Sequence, residues 1–261
     1  MRIDQLLVER GLAASRAQAQ RLLSAGAQWR LGQGAWKQVA KNGDNVPEDA
    51  QVQLLDSSEA RYVSRGGLKL EGALAATGLE VAGRVCLDIG QSTGGFTDCL
   101  LQQGAARVVG VDVGQGQLHP RLREDTRVIC VEQVNARALD ASDLIAACAD
   151  GVSAGGQFDP KFEVIVGDLS FISLTLVLPA LAPLLAEGGA MLMLVKPQFE
   201  LQPGQVGKGG IVRDPALYVV VEQRIRACCA ELGLKVQAWL DSPIDGGDGN
   251  HEFFIFARRA A

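Results

Sequence analysis

The chain has 261 residues, of which 48% are hydrophobic, and its formal net charge is -5 at pH 7. This length allows one large domain and a small one, and the acidic balance excludes a global attraction to nucleic acid, so any RNA contact needs a local basic patch. No run of about 18 apolar residues and no apolar leader occur, which predicts a cytoplasmic protein without a membrane partner. Six scattered cysteines and two histidines predict no metal site, and the sequence leaves the oligomeric state open.

The first part of the chain predicts a small α+β module of two helices and a short sheet. Apolar residues at helical spacing favour a first helix over Ile3–Leu12, and Ser15 can cap a second helix over Arg16–Ala25. Two β-like segments follow, Ala27–Leu31 and Val52–Leu55, and a turn-rich segment joins them.

The same segment resembles the small RNA-binding fold named after ribosomal protein S-four. The resemblance rests on the string R-I-D-Q-L-L-V-E-R-G-L-A-x-S-R-x-x-A-Q-R-L-L-x-x-G, which starts at Arg2. It implies RNA contacts at Arg2, Ser15, Arg16 and Arg21. Because residues 1–60 carry seven basic and seven acidic side chains, only their placement can form a basic patch, and the alternative is a solvated helix face.

A polar joint at Ser57–Ala60 predicts a boundary between a first domain, residues 1–60, and a second domain, residues 61–261. In the second domain apolar strands alternate with helices, which predicts a parallel sheet covered on both faces: a Rossmann-like, doubly wound α/β domain. The predicted strands are Val85–Ile89, Val108–Val113, Val128–Val131, Phe162–Val166, Ala190–Val195, Lys235–Leu240 and Glu252–Ala257, the last two paired antiparallel. The predicted helices are Arg65–Thr77, Phe96–Gln103, Ser142–Ala149, Ser173–Ala186 and Pro215–Leu232.

The segment Leu87–Asp98 reads L-D-I-G-Q-S-T-G-G-F-T-D, an apolar strand that ends in an acid and is followed by a glycine-rich loop and a helix. Such a loop brings backbone N–H groups close to a nucleotide-type ligand. The spacing excludes the dinucleotide G-x-G-x-x-G pattern, and with it an oxidoreductase, and also the phosphate loop. It resembles the cofactor loop of S-adenosylmethionine-dependent methyltransferases; the alternative is a set of plain turn glycines.

Open α/β sheets bind ligands beyond the carboxyl ends of their strands, so the polar residues at those ends belong together. Asp112 can accept hydrogen bonds from both hydroxyls of a ribose, and Asn135 either lines the adenine side or forms a turn. The predicted cofactor-binding residues are Asp88, Gly90, Ser92, Thr93, Gly94, Gly95, Phe96, Asp112, Asn135 and Asp168.

Asp168 and Lys196 end the fourth and fifth predicted strands, which sets an acid beside a lysine. The carboxylate favours the charged form of the lysine and so raises its pKa, whereas desolvation lowers that pKa. Such opposing effects on a pKa are typical of a residue that acts as a general base. The alternative is a structural ion pair. Neither Lys69 nor Glu252 indicates a function from its local sequence.

Strings across residues 61–261 resemble the TlyA (haemolysin A) family: S-R-G-G-L-K-L, D-L-S-F-I-S-L, L-V-K-P-Q-F-E, V-G-K-G-G-I-V-R-D-P and S-P-I-x-G-x-x-G-N-x-E-F. The resemblance implies a methyltransferase domain related to the FtsJ-like enzymes, S-adenosyl-L-methionine as the cofactor, and methylation of a ribose 2′-hydroxyl, of a cytidine, in ribosomal RNA or ribosomal subunits. It also implies a catalytic tetrad of Lys69, Asp168, Lys196 and Glu252. The sequence departs from the family at Gln91, where a small residue is usual, and at Gln115, where an aromatic residue is common.

Among the tetrad, Lys196 is the expected base, with a pKa lowered by burial and by Lys69, while Asp168 and Glu252 orient the lysines and the sugar. The segment Gly204–Arg213 predicts a mobile basic loop that contacts RNA phosphate, or else a connection without a ligand. Further predicted RNA contacts are Arg65, Lys208 and Arg213. Two rival functions stay open, a non-catalytic ribosome-associated RNA-binding factor and a membrane-active haemolysin, and the second lacks a strongly basic amphipathic helix.

Overall fold

A computed structural model describes residues 1–13, 15–55, 61–148 and 159–259. The chain divides into two compact units, Met1–Leu68 and Lys69–Ala261. The expected polar joint at Ser57–Ala60 lies outside the described residues, so the boundary after residue 60 stays a prediction. Within the described ranges, no helix combines the length and the apolar character that a membrane crossing requires.

The first unit contains two helices, α1 (Ile3–Glu9) and α2 (Arg16–Ser24), and a three-stranded antiparallel sheet. The hydroxyl oxygen of Ser15 accepts a hydrogen bond from the backbone N–H of Gln18 over 3.3 Å, which confirms the predicted cap of α2. Helix α1 ends earlier than predicted, because the chain turns at Gly11 with a φ of 68°, and this leaves Leu12 40% exposed.

The small sheet has the order β2-β1-β3, with β1 at Ala27–Arg30, β2 at Lys37–Gln38 and β3 at Gln51–Leu54. Strand β2 was not predicted, since it has only two residues and lies inside a segment rich in turn formers. One face of the sheet packs against the buried residues of the helix pair. These buried helical residues include Ile3, Leu6, Leu7, Leu22 and Leu23.

The second unit contains a seven-stranded sheet of the order β6-β5-β4-β7-β8-β10-β9. All strands run parallel except β10, which pairs antiparallel with both β8 and β9. This confirms the Rossmann-like fold and the antiparallel edge. The strands are β4 (Val85–Ile89), β5 (Arg107–Val111), β6 (Val128–Val131), β7 (Phe162–Gly167), β8 (Leu185–Val195), β9 (Leu234–Asp241) and β10 (Phe253–Arg259).

Helices connect the strands of this sheet. Helix α3 (Gly66–Thr77) precedes the first of these strands, and the others are α4 (Gly95–Gln102), α5 (Pro120–Arg123), α6 (Ala141–Cys148), α7 (Leu174–Leu181), α8 (Pro197–Glu200) and α9 (Pro215–Glu231). The predicted helix over Ser173–Ala186 was too long, because Pro183 lies in a 3₁₀ turn at 182–184 and β8 then begins at Leu185. The last residue of the predicted helix Ser142–Ala149 lies outside the described residues.

The strand order reverses between β4 and β7, which is where open α/β sheets bind their ligands. The two strand ends are in direct contact, since the backbone N–H of Asp168 donates to the carbonyl of Ile89 over 3.0 Å. The polar residues that follow the strands therefore meet at one edge of the sheet.

Candidate active site

The glycine-rich loop after β4 is shaped by its close approach to β7. Gly90 has a φ of 81°, and a Cβ atom at this position would lie 2.6 Å from the carbonyl oxygen of Asp168. Gly94, with a φ of 93°, is the N-cap of α4. A larger residue at Gly90 would meet backbone and could not be accommodated by a side-chain movement, so this glycine is required by the geometry.

Behind the loop lies a buried chain of three polar side chains. Asp88 is fully buried, and one of its carboxylate oxygens accepts a hydrogen bond from the Thr97 hydroxyl over 2.7 Å. The Gln91 side chain points inward and donates to the Thr97 hydroxyl oxygen over 2.9 Å. The second oxygen of Asp88 is buried without a hydrogen-bond partner, and burial raises the pKa of Asp88 to about 7.

Gln91 fits here because Gly110 has no side chain. A Cβ atom at Gly110 would lie 1.9 Å from the Gln91 amide nitrogen. The family resemblance identified Gln91 as a departure in the cofactor loop, but it did not predict that the side chain points inward. The other departure, Gln115, is exposed.

Asp112 follows β5 and is held by two backbone groups. Its carboxylate oxygens accept hydrogen bonds from the N–H groups of Ser92 and Gly114, each over 2.7 Å. Ser92 adopts a φ of 47°, which is unusual for a residue with a side chain, and its hydroxyl donates to Gln117 over 3.2 Å. Asp112 is thus fixed in orientation, and each of its oxygens keeps a further lone pair for a ligand hydroxyl.

A cavity of about 500 Å³ opens at the ends of β4, β5 and β7. Of the predicted cofactor residues, five line it: Gly90, Ser92, Asp112, Asn135 and Asp168. Asn135 lines the cavity, and its side chain caps a 3₁₀ turn by accepting from the N–H of Arg137 over 3.0 Å; its contact with an adenine stays a prediction.

The other predicted cofactor residues do not line this cavity. Phe96 is buried within α4, where its ring lies 6.1 Å from that of Phe254. Thr93 is exposed, Gly94 and Gly95 form the start of α4, and Asp88 lies behind the loop.

The four residues of the predicted tetrad form two ion pairs. The Lys69 ammonium binds the Glu252 carboxylate, and both side chains are almost completely buried. The Lys196 ammonium lies 2.6 Å from a carboxylate oxygen of Asp168 and donates to the Ser170 hydroxyl over 2.9 Å. This second pair is partly exposed, at 13% for the Lys196 side chain and 24% for that of Asp168.

The two ion pairs are close enough to influence each other. Burial raises the pKa of Glu252 above its ordinary value and Lys69 lowers it, with smaller opposing effects from Lys196 and Asp168. The charges of the partly exposed pair therefore act on Glu252 of the buried pair.

A second cavity of about 420 Å³ lies on the other side of the partly exposed ion pair. Lys196 and Glu252 line it, while Asp168 lines the first cavity, and both cavities share Ser170 and Phe171. The Lys196–Asp168 pair consequently lies at the junction of two adjacent cavities. Such a junction is where a group held in one cavity can react with a group held in the other.

Phe171 is a residue that the sequence did not single out. Its side chain is 90% exposed, its φ is 63°, and its ring lies 5.0 Å from that of Phe199. Because Phe171 also lines both cavities, this exposed ring on an uncommon backbone conformation is a candidate ligand contact. The available signal was an aromatic residue directly after a strand end, in the string D-L-S-F.

The loop Gly204–Arg213 forms one wall of the second cavity, through Val206, Gly209 and Gly210. Asn250, which is 1% exposed, fixes this loop by donating to the Gly210 carbonyl and accepting from the Val212 N–H, each over 2.9 Å.

The Asn250 side-chain amide also donates to Asp248 over 2.8 Å, and Asp248 lines the same cavity. The predicted RNA contacts Lys208 and Arg213 are exposed on this loop. Asn250 was also missed, although it precedes the predicted catalytic Glu252 by two positions.

The predicted RNA contacts of the first unit are not equally available. Arg2 and Arg16 both pair with the fully buried Asp4, over 2.9 and 3.1 Å, and the Arg2 guanidinium holds the pKa of Asp4 far below its usual range. Arg21 and Arg65 are half-buried. Part of the positive charge of the helix pair is therefore neutralised within the unit.

Comparison with known proteins agrees with this architecture. The model of the FtsJ-like methyltransferase family matches residues 62–259. A Mycobacterium tuberculosis protein named 16S/23S rRNA (cytidine-2′-O)-methyltransferase TlyA is 44% identical over 98% of this chain and 89% of its own length.

Two solved structures extend the comparison. A Streptococcus thermophilus protein matches with a TM-score of 0.73 and 39% identity, over 100% of this chain and 88% of that one. An S-adenosylmethionine-dependent methyltransferase from Mesorhizobium loti shares the fold at a TM-score of 0.52 and 16% identity, over 73% and 98% of the two chains. The chain belongs to the FtsJ-like methyltransferase family and, within it, to the TlyA proteins.

Proposed function

We propose that this chain transfers a methyl group from S-adenosyl-L-methionine to the ribose 2′-hydroxyl of a cytidine in ribosomal RNA. The observation that carries the proposal is the Lys196–Asp168 ion pair at the junction of two cavities. The name of the Mycobacterium tuberculosis relative supports the substrate class and the position of the methyl group.

The first cavity fits the methyl donor. Gly90 allows a ligand to approach the loop backbone, and Asp112 is oriented to accept hydrogen bonds from ribose hydroxyls. Asp88, which lies behind the loop, supports the methyl donor only indirectly, through its hydrogen bond with Thr97 and the Gln91 side chain bound to Thr97. We assign Asn135, which lines the same cavity, to the base of the methyl donor.

When bound, S-adenosyl-L-methionine supplies a methyl group on a positively charged sulfur, which is the electrophile of the reaction. The chain must supply the rest, because a ribose hydroxyl is a weak nucleophile until its proton is removed. We propose that the neutral Lys196 amine accepts this proton. The Lys196 ammonium must first release its own proton to water, and its hydrogen-bond partner Ser170 is exposed to water. Asp168 then stabilises the ammonium that forms. The buried Lys69–Glu252 ion pair stabilises the structure beneath the site.

The second cavity is suited to the target nucleotide. Phe171 and Phe199 offer aromatic surface against which a base can stack, and Lys208 and Arg213 offer charge for the RNA backbone. We propose that Arg2, Ser15, Arg16, Arg21 and Arg65 make further RNA contacts, and that the enzyme acts on ribosomal RNA or ribosomal subunits in the cytoplasm.

The experiment is methyl transfer from labelled S-adenosyl-L-methionine to unmodified ribosomal subunits and to naked ribosomal RNA, followed by digestion and identification of the labelled nucleoside. The proposal predicts 2′-O-methylcytidine. A chain that binds the cofactor but labels no subunit and no RNA would instead be the non-catalytic RNA-binding factor.

A further inference from the structure

Glu200 is a buried acidic residue that the proposed mechanism does not use. It is the last residue of α8, whose N-cap is Lys196, and it is 3% exposed. One of its carboxylate oxygens accepts a hydrogen bond from the backbone N–H of Leu174 over 2.7 Å, and the other accepts from the Ser173 hydroxyl. Both donors lie at the start of α7, so the Glu200 side chain joins α8 to the first turn of α7.

The contact satisfies a donor that α7 itself leaves unpaired. The first N–H groups of a helix have no partner within the helix, and Leu174 is the first residue of α7. The Ser173 hydroxyl oxygen accepts from the Thr175 N–H over 3.2 Å, and Glu200 takes the Leu174 N–H. Burial raises the pKa of Glu200, whereas Ser173, Leu174 and the charge of Arg224 lower it. These groups therefore offset part of the cost of placing a carboxylate in the interior.

The same carboxylate fixes one end of the segment 168–173, which follows β7. At the other end of this segment, Asp168 pairs with Lys196 over 2.6 Å. Phe171 lies between the two fixed ends, has a φ of 63° and lines both cavities. Glu200 therefore limits how far this segment can move away from α8.

Helix α8 carries the residues that face this segment across the junction of the cavities. Lys196 directly precedes α8, and the Phe199 ring lies 5.0 Å from that of Phe171. Arg224 of α9 donates to the backbone carbonyl of Glu200. Glu200 is consequently anchored to α9 through its backbone and to α7 through its side chain.

We infer that Glu200 is a positioning residue for methyl transfer. Its carboxylate fixes Phe171 relative to Phe199 and Lys196, and with it the nucleotide whose hydroxyl Lys196 deprotonates. Small displacements of reacting groups are costly, since a shift of about 1 Å can lower a rate by roughly 10²-fold. The inference rests on the proposed function, because it takes methyl transfer to a nucleotide in the second cavity as the reaction.

Three variants separate hydrogen-bond geometry from charge. Glu200→Gln keeps the length of the side chain and an oxygen for the Leu174 N–H, and its NH₂ group can donate to the Ser173 hydroxyl oxygen. Glu200→Asp keeps the charge but is one methylene shorter, and Glu200→Ala has no acceptor. The control is Asp140→Ala, which removes another carboxylate at a helix start, since Asp140 accepts from the Ser142 N–H in α6 over 2.7 Å.

The measurement is the single-turnover rate of methyl transfer to unmodified ribosomal RNA, at saturating RNA and S-adenosyl-L-methionine. We expect Glu200→Ala and Glu200→Asp to be slower than wild type by about 10- to 100-fold. Glu200→Gln should restore most of the rate, and Asp140→Ala should keep it. Glu200→Ala should add little to the loss caused by Phe171→Ala, because both changes act on the same ring. Affinity for S-adenosyl-L-methionine, measured by calorimetry, should stay unchanged in the Glu200 variants.

A wild-type rate in Glu200→Ala would overturn the inference. A Glu200→Gln rate as low as that of Glu200→Ala would also overturn it, as would losses of Glu200→Ala and Phe171→Ala that multiply in the double variant. If urea denaturation shows that Glu200→Ala does not fold, the comparison of Glu200→Gln with Glu200→Asp decides, and equal rates would contradict the inference. No label with the wild-type chain would mean that the proposed function fails, and the inference with it. Label with the wild-type chain and equal rates in all Glu200 variants would mean that the inference alone fails.

Discussion

The two ion pairs of the tetrad have the same chemistry but different surroundings. Lys69–Glu252 is almost completely buried and lies next to β10, whereas Lys196–Asp168 is partly exposed and borders both cavities. If a buried pair loses one partner, the remaining charge is left unpaired in an apolar interior. The free-energy cost of that state keeps the two side chains together. The difference agrees with the proposed function, in which one pair maintains the site and the other performs the chemistry.

The largest expected effect is on catalysis by the exposed pair. Lys196→Ala should lower the single-turnover rate of methyl transfer by roughly 10² to 10⁴, because a positioned base contributes about that factor. Lys196→Arg should be equally impaired, since a guanidinium does not lose its proton. Lys235→Ala, at an exposed lysine of β9, is the control. Unchanged rates in both Lys196 variants, with cofactor bound, would remove Lys196 from the mechanism.

The buried pair should instead affect stability. Glu252→Ala leaves the Lys69 ammonium buried without its partner and should lower the free energy of unfolding by about 3–5 kcal/mol. Urea denaturation measures this, and the double variant Lys69→Met with Glu252→Ala should recover part of the loss. The matched comparison is Asp168→Ala, which should cost much less because its lysine can reach water. Equal losses of unfolding free energy in Glu252→Ala and Asp168→Ala would show that the two ion pairs contribute to stability in the same way.

Asp88 extends the comparison to a buried carboxylate without a cation. Its pKa is raised from 3.8 to about 7, so between these values the folded chain holds a proton that the unfolded chain has lost. The free energy of unfolding should therefore fall as pH rises through this window, by up to about 4 kcal/mol. Asp88→Asn should remove most of this decline in urea denaturation from pH 4 to 8. A slope that is identical in the variant would contradict the assignment.

The smallest expected effect concerns the inward side chain of Gln91. Gln91→Ala removes the donor to Thr97 and leaves a space above Gly110, which should cost about 1–3 kcal/mol of stability. Cofactor affinity should weaken as the loop loosens, while the kcat at saturating cofactor stays near its original value. Calorimetry with S-adenosyl-L-methionine separates the two quantities. A drop in kcat alone would indicate that Gln91 acts on the chemistry and not on the loop.

The sequence predicted those parts of the site that lie at consecutive strand ends. Asp168 and Lys196 end neighbouring parallel strands, so their meeting follows from the topology, and the glycine spacing predicted the loop. Lys69 and Glu252 are 183 positions apart, and only the family resemblance joined them. No local pattern indicates that a buried lysine of α3 reaches the start of β10.

Other features depend on tertiary contacts that sequence patterns do not encode. Gln91 points inward only because Gly110, on the adjacent strand, leaves room for it. The exposure of Phe171 depends on a backbone with positive φ, and the small sheet includes a two-residue strand that was not predicted. Periodicity shows which residues are apolar, but it does not show which side chains meet across strands.

The most direct measurement is the position of the methyl group on the RNA. Ribosomal RNA labelled by the wild-type chain would be hydrolysed with alkali, which cleaves next to every free 2′-hydroxyl. We predict label in an alkali-resistant dinucleotide, and none above background with Lys196→Ala. Label recovered in mononucleotides would show methylation of a base and would contradict a role of the Lys196–Asp168 pair in activating a ribose hydroxyl.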